Sequence, residues 1–259
     1  MKRVVCVVGM IVIGAVHCAA AIDIDPAKVV DLSYGFGPQT VYWPTAKGFV
    51  LEEVSKGEVS GHWYEANNFC AAEHGGTHMD APAHFARGQA STDKVPVTAG
   101  IGPLVKVDVR QQAARDADYR LTADDLRAWE TVHGRIPAGA IVVMDSGWAA
   151  RWPDRARYLG TDAPGDTAHL HFPGFSREAI DFLVHERDIN AIGVDTASID
   201  YGPSQDFIVH QLINGANKPA FENLANLDRV PASGAMLIAL PMKIEGGSGG
   251  PVRAIALLP

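Results

Sequence analysis

Between His74 and His84 the chain reads His-Gly-Gly-Thr-His-Met-Asp-Ala-Pro-Ala-His, which places three imidazoles and a carboxylate in one short stretch. All four groups (His74, His78, Asp80 and His84) fall on even positions. Side chains alternate faces along an extended backbone, so residues two, four and six apart share a side. A strand entering a loop would therefore aim His74, His78 and Asp80 at one point. The spacing of His74 and His78 also suits one face of a helix, as in helical zinc motifs. Gly75, Gly76 and Pro82 argue against that helix, because both residue types disfavour a helix interior. Glycines beside ligand candidates instead let backbone approach an ion or substrate closely.

Two imidazoles and a carboxylate form a donor set of intermediate softness, suited to Zn, Mn or Fe(II), with positions left for water or substrate. A closed structural zinc site would draw on cysteines, and this stretch has none. Any one of these histidines alone reads as a hydrogen-bonded surface or core residue; the cluster is what points to a metal. A cation held there lowers the pKa of its water toward about 7. His84 follows the ligands by a turn containing Pro82, and an ordinary imidazole, with a pKa of about 6.5, moves protons near neutrality. The expectation is that His84 helps deprotonate the water and then protonates a leaving nitrogen.

The pattern His74, Gly76, Thr77, His78, Asp80, Pro82, His84 resembles the signature of the cyclase family of metal-dependent hydrolases, which includes bacterial kynurenine formamidases and isatin hydrolases. Gly193–Asp200 and the run Gly246–Arg253 are similar to further family segments. The resemblance implies a mixed α/β fold, with a barrel-like β core flanked by helices (the swivelling β/β/α type), as a homodimer or homotetramer. It also implies a second metal position at His210 and Glu222. Asp80 would bridge the two positions, since a carboxylate has two oxygens to share; Asn223, next to Glu222, is left without a role. The implied activity is hydrolysis of an aryl formamide or a cyclic amide, with one or two Zn2+ or Mn2+ ions and a small, aromatic substrate. Two other readings stand beside it: a hydrolase or lyase acting on another carbonyl through the same metal, and a non-catalytic metal-binding protein of the periplasm. A storage protein has no need of His84 beside the ligands.

Residues 1–21 have a different character. Lys2 and Arg3 precede an apolar run from Val4 to Val16, and Ala19–Ala21 follow. This is the layout of a secretory signal peptide, and the run is short of the ~20 apolar residues of a membrane span. The expectation is a periplasmic or secreted chain with one domain over 22–259 and no stable membrane association. Removing the leader leaves 20 basic against 30 acidic residues, a net charge of −10, which disfavours nucleic acid and anionic membranes as partners. Kynurenine formation is expected in the cytoplasm, so an export signal shifts weight toward another amide. Cys6 and Cys18 leave with the leader, and Cys70 alone cannot form an internal disulfide. Its placement just before His74 reads as a small buried residue beside the site in preference to a ligand or nucleophile.

Elsewhere, periodicity predicts a half-buried strand over Ile101–Val109, with Val105, Val107 and Val109 inward against Lys106 and Asp108. Thr122 caps a helix with Asp124 and Asp125 in its first turn and Leu126 and Trp129 inward, ended by Gly134 and Pro137. Ile141–Met144 and Ile189–Val194 read as buried strands, and Ser176–Glu186 as a helix with a serine cap. Gln205–Ile213 is expected as the helix carrying His210, with Ala235–Leu240 and Val252–Leu258 as closing strands. Residues 150–175 read as a long irregular excursion in which solvent-facing or structural roles are favoured for His169 and His171 over spare ligands. Gly246–Gly250 reads as a flexible loop able to approach an anion. Tyr42, Trp43, Trp63, Tyr64, Phe69 and Phe85 are candidates for a pocket wall or for core. Asp195 and Asp200 cap turns or orient ligands, with capping slightly favoured. Ser146 lies outside any Gly-x-Ser-x-Gly elbow, so a serine hydrolase has little support.

Overall fold

The computed structural model describes residues 24–259. The leader expected over residues 1–21 lies outside them, as do Cys6 and Cys18. The described chain opens with β1 (Val29–Asp31), a hairpin of β2 (Val50–Val59) and β3 (His62–Cys70), and β4 (His78–Asp80). There follow β5 (Ile101–Asp108), α1 (Arg110–Ala113), β6 (Arg120–Leu121), α2 (Ala123–His133) and β7 (Ile141–Asp145). After these come α3 (Arg155–Leu159), β8 (Gly174–Phe175), α4 (Arg177–Glu186) and β9 (Ala191–Val194). The chain closes with α5 (Ile208–Gly215), β10 (Ala220–Glu222), β11 (Met236–Pro241) and β12 (Gly249–Leu257).

The strands β12-β11-β5-β7-β9-β10-β4 form one sheet, and β4 pairs back onto β12 to close it into a barrel, with β1 added along β12. The run β5-β7-β9-β10 is parallel and the other pairings are antiparallel. This is the mixed α/β, barrel-like core that the resemblance implies. Parallel strands covered on both faces are apolar throughout, and β7 and β9 are buried at every position. On one face Val142, Met144, Ile192 and Val194 pack against Leu126 and Trp129 of α2 and Ile180 and Leu183 of α4. On the other, Ile141, Val143 and Ala191 meet Met79, Phe221 and Leu237 inside the barrel. Local signals agree with this packing. Thr122 and Asp125 form a reciprocal capping box on α2, and Gly134 ends it at φ +85°.

Five expectations need correction. β5 is not half-buried: it sits centrally, and Lys106 is only 6% exposed. The Lys106 ammonium donates to Asp145 Oδ2 (3.2 Å) and Leu227 O (2.9 Å), and such pairing is what permits a lysine inside. Residues 150–175 are less irregular than expected, because α3 and β8 fall in them and Tyr158, Leu159, Leu170 and Phe172 join Trp148 in a third core cluster. The helix bearing His210 starts at Ile208, since Phe207 takes φ +49° and blocks an earlier start. Gly249 and Gly250 belong to β12, opposite Asp80 and Met79. A Cβ on Gly249 would lie 2.5 Å from His74 Cε1, so that glycine serves close packing. Finally, Cys70 is exposed at the end of β3, with its sulfur 3.1 Å from Lys47 Nζ.

Candidate metal centre and active pocket

The motif folds as a loop followed by a strand. Gly76 turns the chain at φ +57°, and a Cβ there would lie 2.7 Å from the Phe36 ring. β4 then puts His78 and Asp80 on one side, two positions apart. Its antiparallel partner β10 sets Glu222 directly across from His78, and cross-strand partners share a face. α5 supplies His210 from above. The result is two groups of donor atoms, His74/His78/Asp80 and Asp80/His210/Glu222, each drawn within 4.8 Å and sharing Asp80.

His74 Nδ1 lies 2.6 Å from Asp80 Oδ1 and His78 Nε2 3.2 Å from it, while His210 Nε2 lies 3.3 Å from Asp80 Oδ2. Glu222 reaches His78 (3.4 Å) and His210 (3.4 Å) with separate oxygens. His78 donates from Nδ1 to the Gly76 carbonyl (2.9 Å), and His210 from Nδ1 to Asp200 Oδ2 (2.7 Å). Both bonds fix the ring so that Nε2 faces the cluster, the arrangement typical of histidine ligands. His78 Nε2 is fully buried and makes no directed hydrogen bond, although two carboxylate oxygens lie within reach. An orphaned ring nitrogen between carboxylates is what a cation would satisfy.

The charges agree with that fit. Burial opposes ionisation of Asp80, but the imidazoles of His210, His74 and His78 crowded around it outweigh that and hold the carboxyl well below its usual range. Burial likewise opposes charge on His78, yet Asp80 and Glu222 raise it to about 9. Burial, reinforced by the Asp80 charge, raises Glu222. His78 and Glu222, which hold protons more firmly than usual, exchange them for a divalent cation, with proton release on binding.

His84 stands apart from these donors. It stacks on His74 (centroids 3.8 Å apart, planes 18°) and meets the His210 ring edge-on at 5.7 Å. Burial, joined by the neighbouring imidazoles, depresses it to about 4 against the opposing pull of Asp80. It is therefore a neutral imidazole at neutral pH. Donors and His84 together line a cavity of about 280 Å³ whose other wall is aromatic: Tyr42, Trp43, Phe85 and Phe207. Phe207 lies 6.1 Å from Trp43 and 5.5 Å from Phe85, so these three rings pack on one another as one aromatic wall of the cavity.

Of the sequence candidates, His74, His78, Asp80, His84, His210 and Glu222 all reach this cavity. Tyr42, Trp43 and Phe85 line it, whereas Trp63, Tyr64 and Phe69 are exposed on the β2–β3 hairpin. His169 and His171 are exposed and pair with Asp166 and Asp118. Asp195 caps the loop after β7 by accepting from Ser146 and Trp148. Asp200 does both things weighed for it, capping α5 through Val209 N and orienting His210.

Sequence reasoning missed three supports. Ser248 Oγ lies 2.9 Å from His74 Nε2 and donates to Glu73 Oε2 (2.6 Å); a lone hydroxyl between glycine pairs was the available signal. Asn223 donates to the Gly76 carbonyl (2.8 Å), and its own oxygen accepts from Tyr158 Oη (2.9 Å). Nothing local to Tyr158 announces that link.

A closed mixed barrel with paired histidine–carboxylate groups at the floor of an aromatic cavity defines a metal-dependent hydrolase. Residues 30–201 match the model of the family described as "Putative cyclase". The chain is 36% identical over 247 residues to an isatin hydrolase of Roseibium aggregatum, covering 90% of this chain and 92% of the relative. A kynurenine formamidase of Salinibacter ruber is 27% identical, over 88% of this chain and 96% of its own. The crystal structure of an isatin hydrolase bound to the product analogue thioisatinate superposes with a TM-score of 0.82 at 36% identity, covering 90% of this chain and 92% of that one. The chain belongs to the cyclase family of metal-dependent hydrolases.

Proposed function

We propose that the protein hydrolyses the amide C–N bond of a small aromatic cyclic amide of the isatin kind. One observation carries the reading: His84, half-buried and neutral, sits against the donor cluster at the floor of a cavity with aromatic walls. The 36% identity to an isatin hydrolase supports the choice of a cyclic amide. We assign His74, His78 and Asp80 as holding one divalent cation, Zn2+ or Mn2+, with His210 and Glu222 completing a second position across Asp80. Such a cation supplies Lewis acidity, which makes water a nucleophile near neutral pH and polarises the scissile carbonyl.

The chain's own groups do the rest. Trp43, Phe85 and Phe207 offer the planar ring an apolar wall and exclude water from the cavity. His84 accepts a proton from the attacking water. As the new C–O bond forms and the C–N bond breaks, His84 returns that proton to the departing nitrogen, leaving an arylamine and a carboxylic acid on one product, and the acid releases water's second proton to solvent. Asp200 and the Gly76 carbonyl keep His210 and His78 in the tautomers this needs.

The test is turnover of isatin by purified protein of measured metal content, with N-formylkynurenine as comparator. Isatin opening that stops on chelation and returns with Mn2+ or Zn2+ is expected. Fully loaded protein that opens no cyclic aryl amide would end the proposal. We further propose that residues 1–21 are removed on export, so that residues 22–259 work as one domain in the periplasm or outside the cell. The charged, then apolar, then alanine-rich order of the leader supports this, and N-terminal sequencing of protein recovered from the periplasm checks it.

A further inference from the structure

His74 differs from the other two imidazoles of the centre in the nitrogen it presents. His78 and His210 face the donor cluster with Nε2, whereas His74 turns Nδ1 to it, 2.6 Å from Asp80 Oδ1. A neutral imidazole carries its proton on one nitrogen, and only the other can ligate. His74 therefore has to keep its proton on Nε2, which calls for an acceptor on that side. The Ser248 hydroxyl stands there, with Oγ 2.9 Å from Nε2. A serine oxygen can accept the ring proton or donate its own to a bare nitrogen, and the second choice favours the wrong tautomer.

Glu73 decides between the two. A hydroxyl has one hydrogen, and Ser248 gives it to Glu73 Oε2 at 2.6 Å; the Ser248 backbone N–H donates to the same oxygen at 3.0 Å. With its hydrogen committed to a carboxylate, Ser248 has only lone pairs to offer His74. The backbone around the serine supports this order. The Ser248 carbonyl accepts from Ala81 N (2.9 Å), just past β4, so the serine is tied to the strand that carries His78 and Asp80. A glycine stands on either side of it. A Cβ on Gly247 would lie 2.7 Å from Glu73 Oε1, and one on Gly249 2.5 Å from His74 Cε1. Each glycine thus clears the approach of one partner of the serine.

We propose that Glu73 and Ser248 are positioning residues that set the direction of hydrogen bonding at His74: the ring donates to Ser248, Ser248 donates to Glu73, and Nδ1 stays free for the cation. Neither residue belongs to the cavity wall, so both act through His74 without touching substrate. His84 stacks on the same ring at 3.8 Å, so whatever fixes His74 also fixes the platform of the proton-transferring imidazole. The Gly247–Gly249 segment, expected as a loop able to approach an anion, becomes part of the metal centre. The proposal rests on the metal assignment made above and not on the choice of substrate.

The test measures Zn2+ affinity by chelator competition at one pH in the full chain, in Glu73→Gln, Glu73→Ala and Ser248→Ala, and in the double alanine variant. Circular dichroism and melting matched to wild type establish that each is folded. A glutamine oxygen still accepts both bonds from Ser248, so Glu73→Gln is expected to stay close to wild type, while each alanine variant loses about 10–100-fold. The double variant is expected to lose no more than the worse single one, because members of one relay do not add. Long-range proton–nitrogen correlation spectra of the Zn2+-loaded wild type are expected to show the His74 proton on Nε2. With saturating metal, isatin kcat is expected to fall about tenfold in the alanine variants, with KM unchanged. A His74 proton on Nδ1 overturns the proposal. So does a glutamine variant as impaired as alanine, which would make charge the operative property, and so do losses that add in the double variant. A wild type that binds no Zn2+ overturns it together with the metal assignment. An undiminished kcat overturns the link to His84. Tight loading in the expected order by a protein that opens no isatin counts against the hydrolase reading alone and leaves the relay standing.

Discussion

His84 is the residue on which chemistry turns, because it touches the donor cluster without belonging to it. His84→Gln keeps a polar side chain but offers no titrating nitrogen. We expect kcat to fall by about 10²–10⁴ with metal content unchanged by elemental analysis; near-normal kcat would remove the assigned role. Asp200 acts one bond further out. Asp200→Asn retains an oxygen for Val209 N but weakens the grip on His210 Nδ1, so metal affinity should drop about 10–100-fold in a chelator competition titration. Tyr158 is more remote still. Its hydroxyl joins Asp195 O and Asn223 Oδ1 (2.9 Å each), and Tyr158→Phe leaves a buried acceptor short of a partner. A loss of about 1–3 kcal/mol is expected in chemical denaturation, and no loss would mean that water or Asn223 itself makes good the bond.

At the scale of elements, the legible parts were those whose determinants are local in sequence. The capping box of α2, the serine cap of α4 and the apolar runs of β7 and β9 were all readable. So was the shared side of His78 and Asp80, because a strand's alternation is a local fact, whereas His74 reaches them from the loop before the turn at Gly76. His210 and Glu222 came from family resemblance, since no local rule says that α5 will hang over β4. Lys106 was misread because a buried lysine depends on Asp145, 39 positions away. The β2–β3 hairpin was invisible because its strands alternate weakly, with apolar groups on both sides. Gly249 was misread as a source of flexibility, yet β12 needs it to let His74 approach. Gly249→Ala should therefore push His74 off the cluster, and its metal occupancy should fall well below wild type, while Gly215→Ala, in open space and at an ordinary backbone angle, matters far less for the site.

For the whole molecule, loading and stability are linked. A cation at about 1,000 times its dissociation constant adds about 4 kcal/mol. For a domain of this size that corresponds to a rise on the order of 10 °C in Tm, measurable by calorimetry before and after chelation. The pH trends of the two forms should oppose one another. In the chelated protein His78 is raised from 6.5 to about 9. Its contribution is therefore complete below about 6.5 and is lost as pH climbs through about 9. Raised Glu222 works in the same direction. In the loaded protein, protons compete with the cation, so affinity and stability should grow over the same interval. Parallel trends in the two forms would show that His78 is not exchanging a proton for metal.

β4 is three residues long, and it is flanked by β10 on one side and β12 on the other. The zip that shuts the barrel is thus also the strand presenting His78 and Asp80. A lineage can repaint the aromatic wall of Trp43, Phe85 and Phe207 to suit a new substrate, since those side chains stand on loops and turns. It cannot relocate the cation without unfastening the barrel itself. Diversity in this architecture should therefore collect in the wallpaper, with the zip left alone.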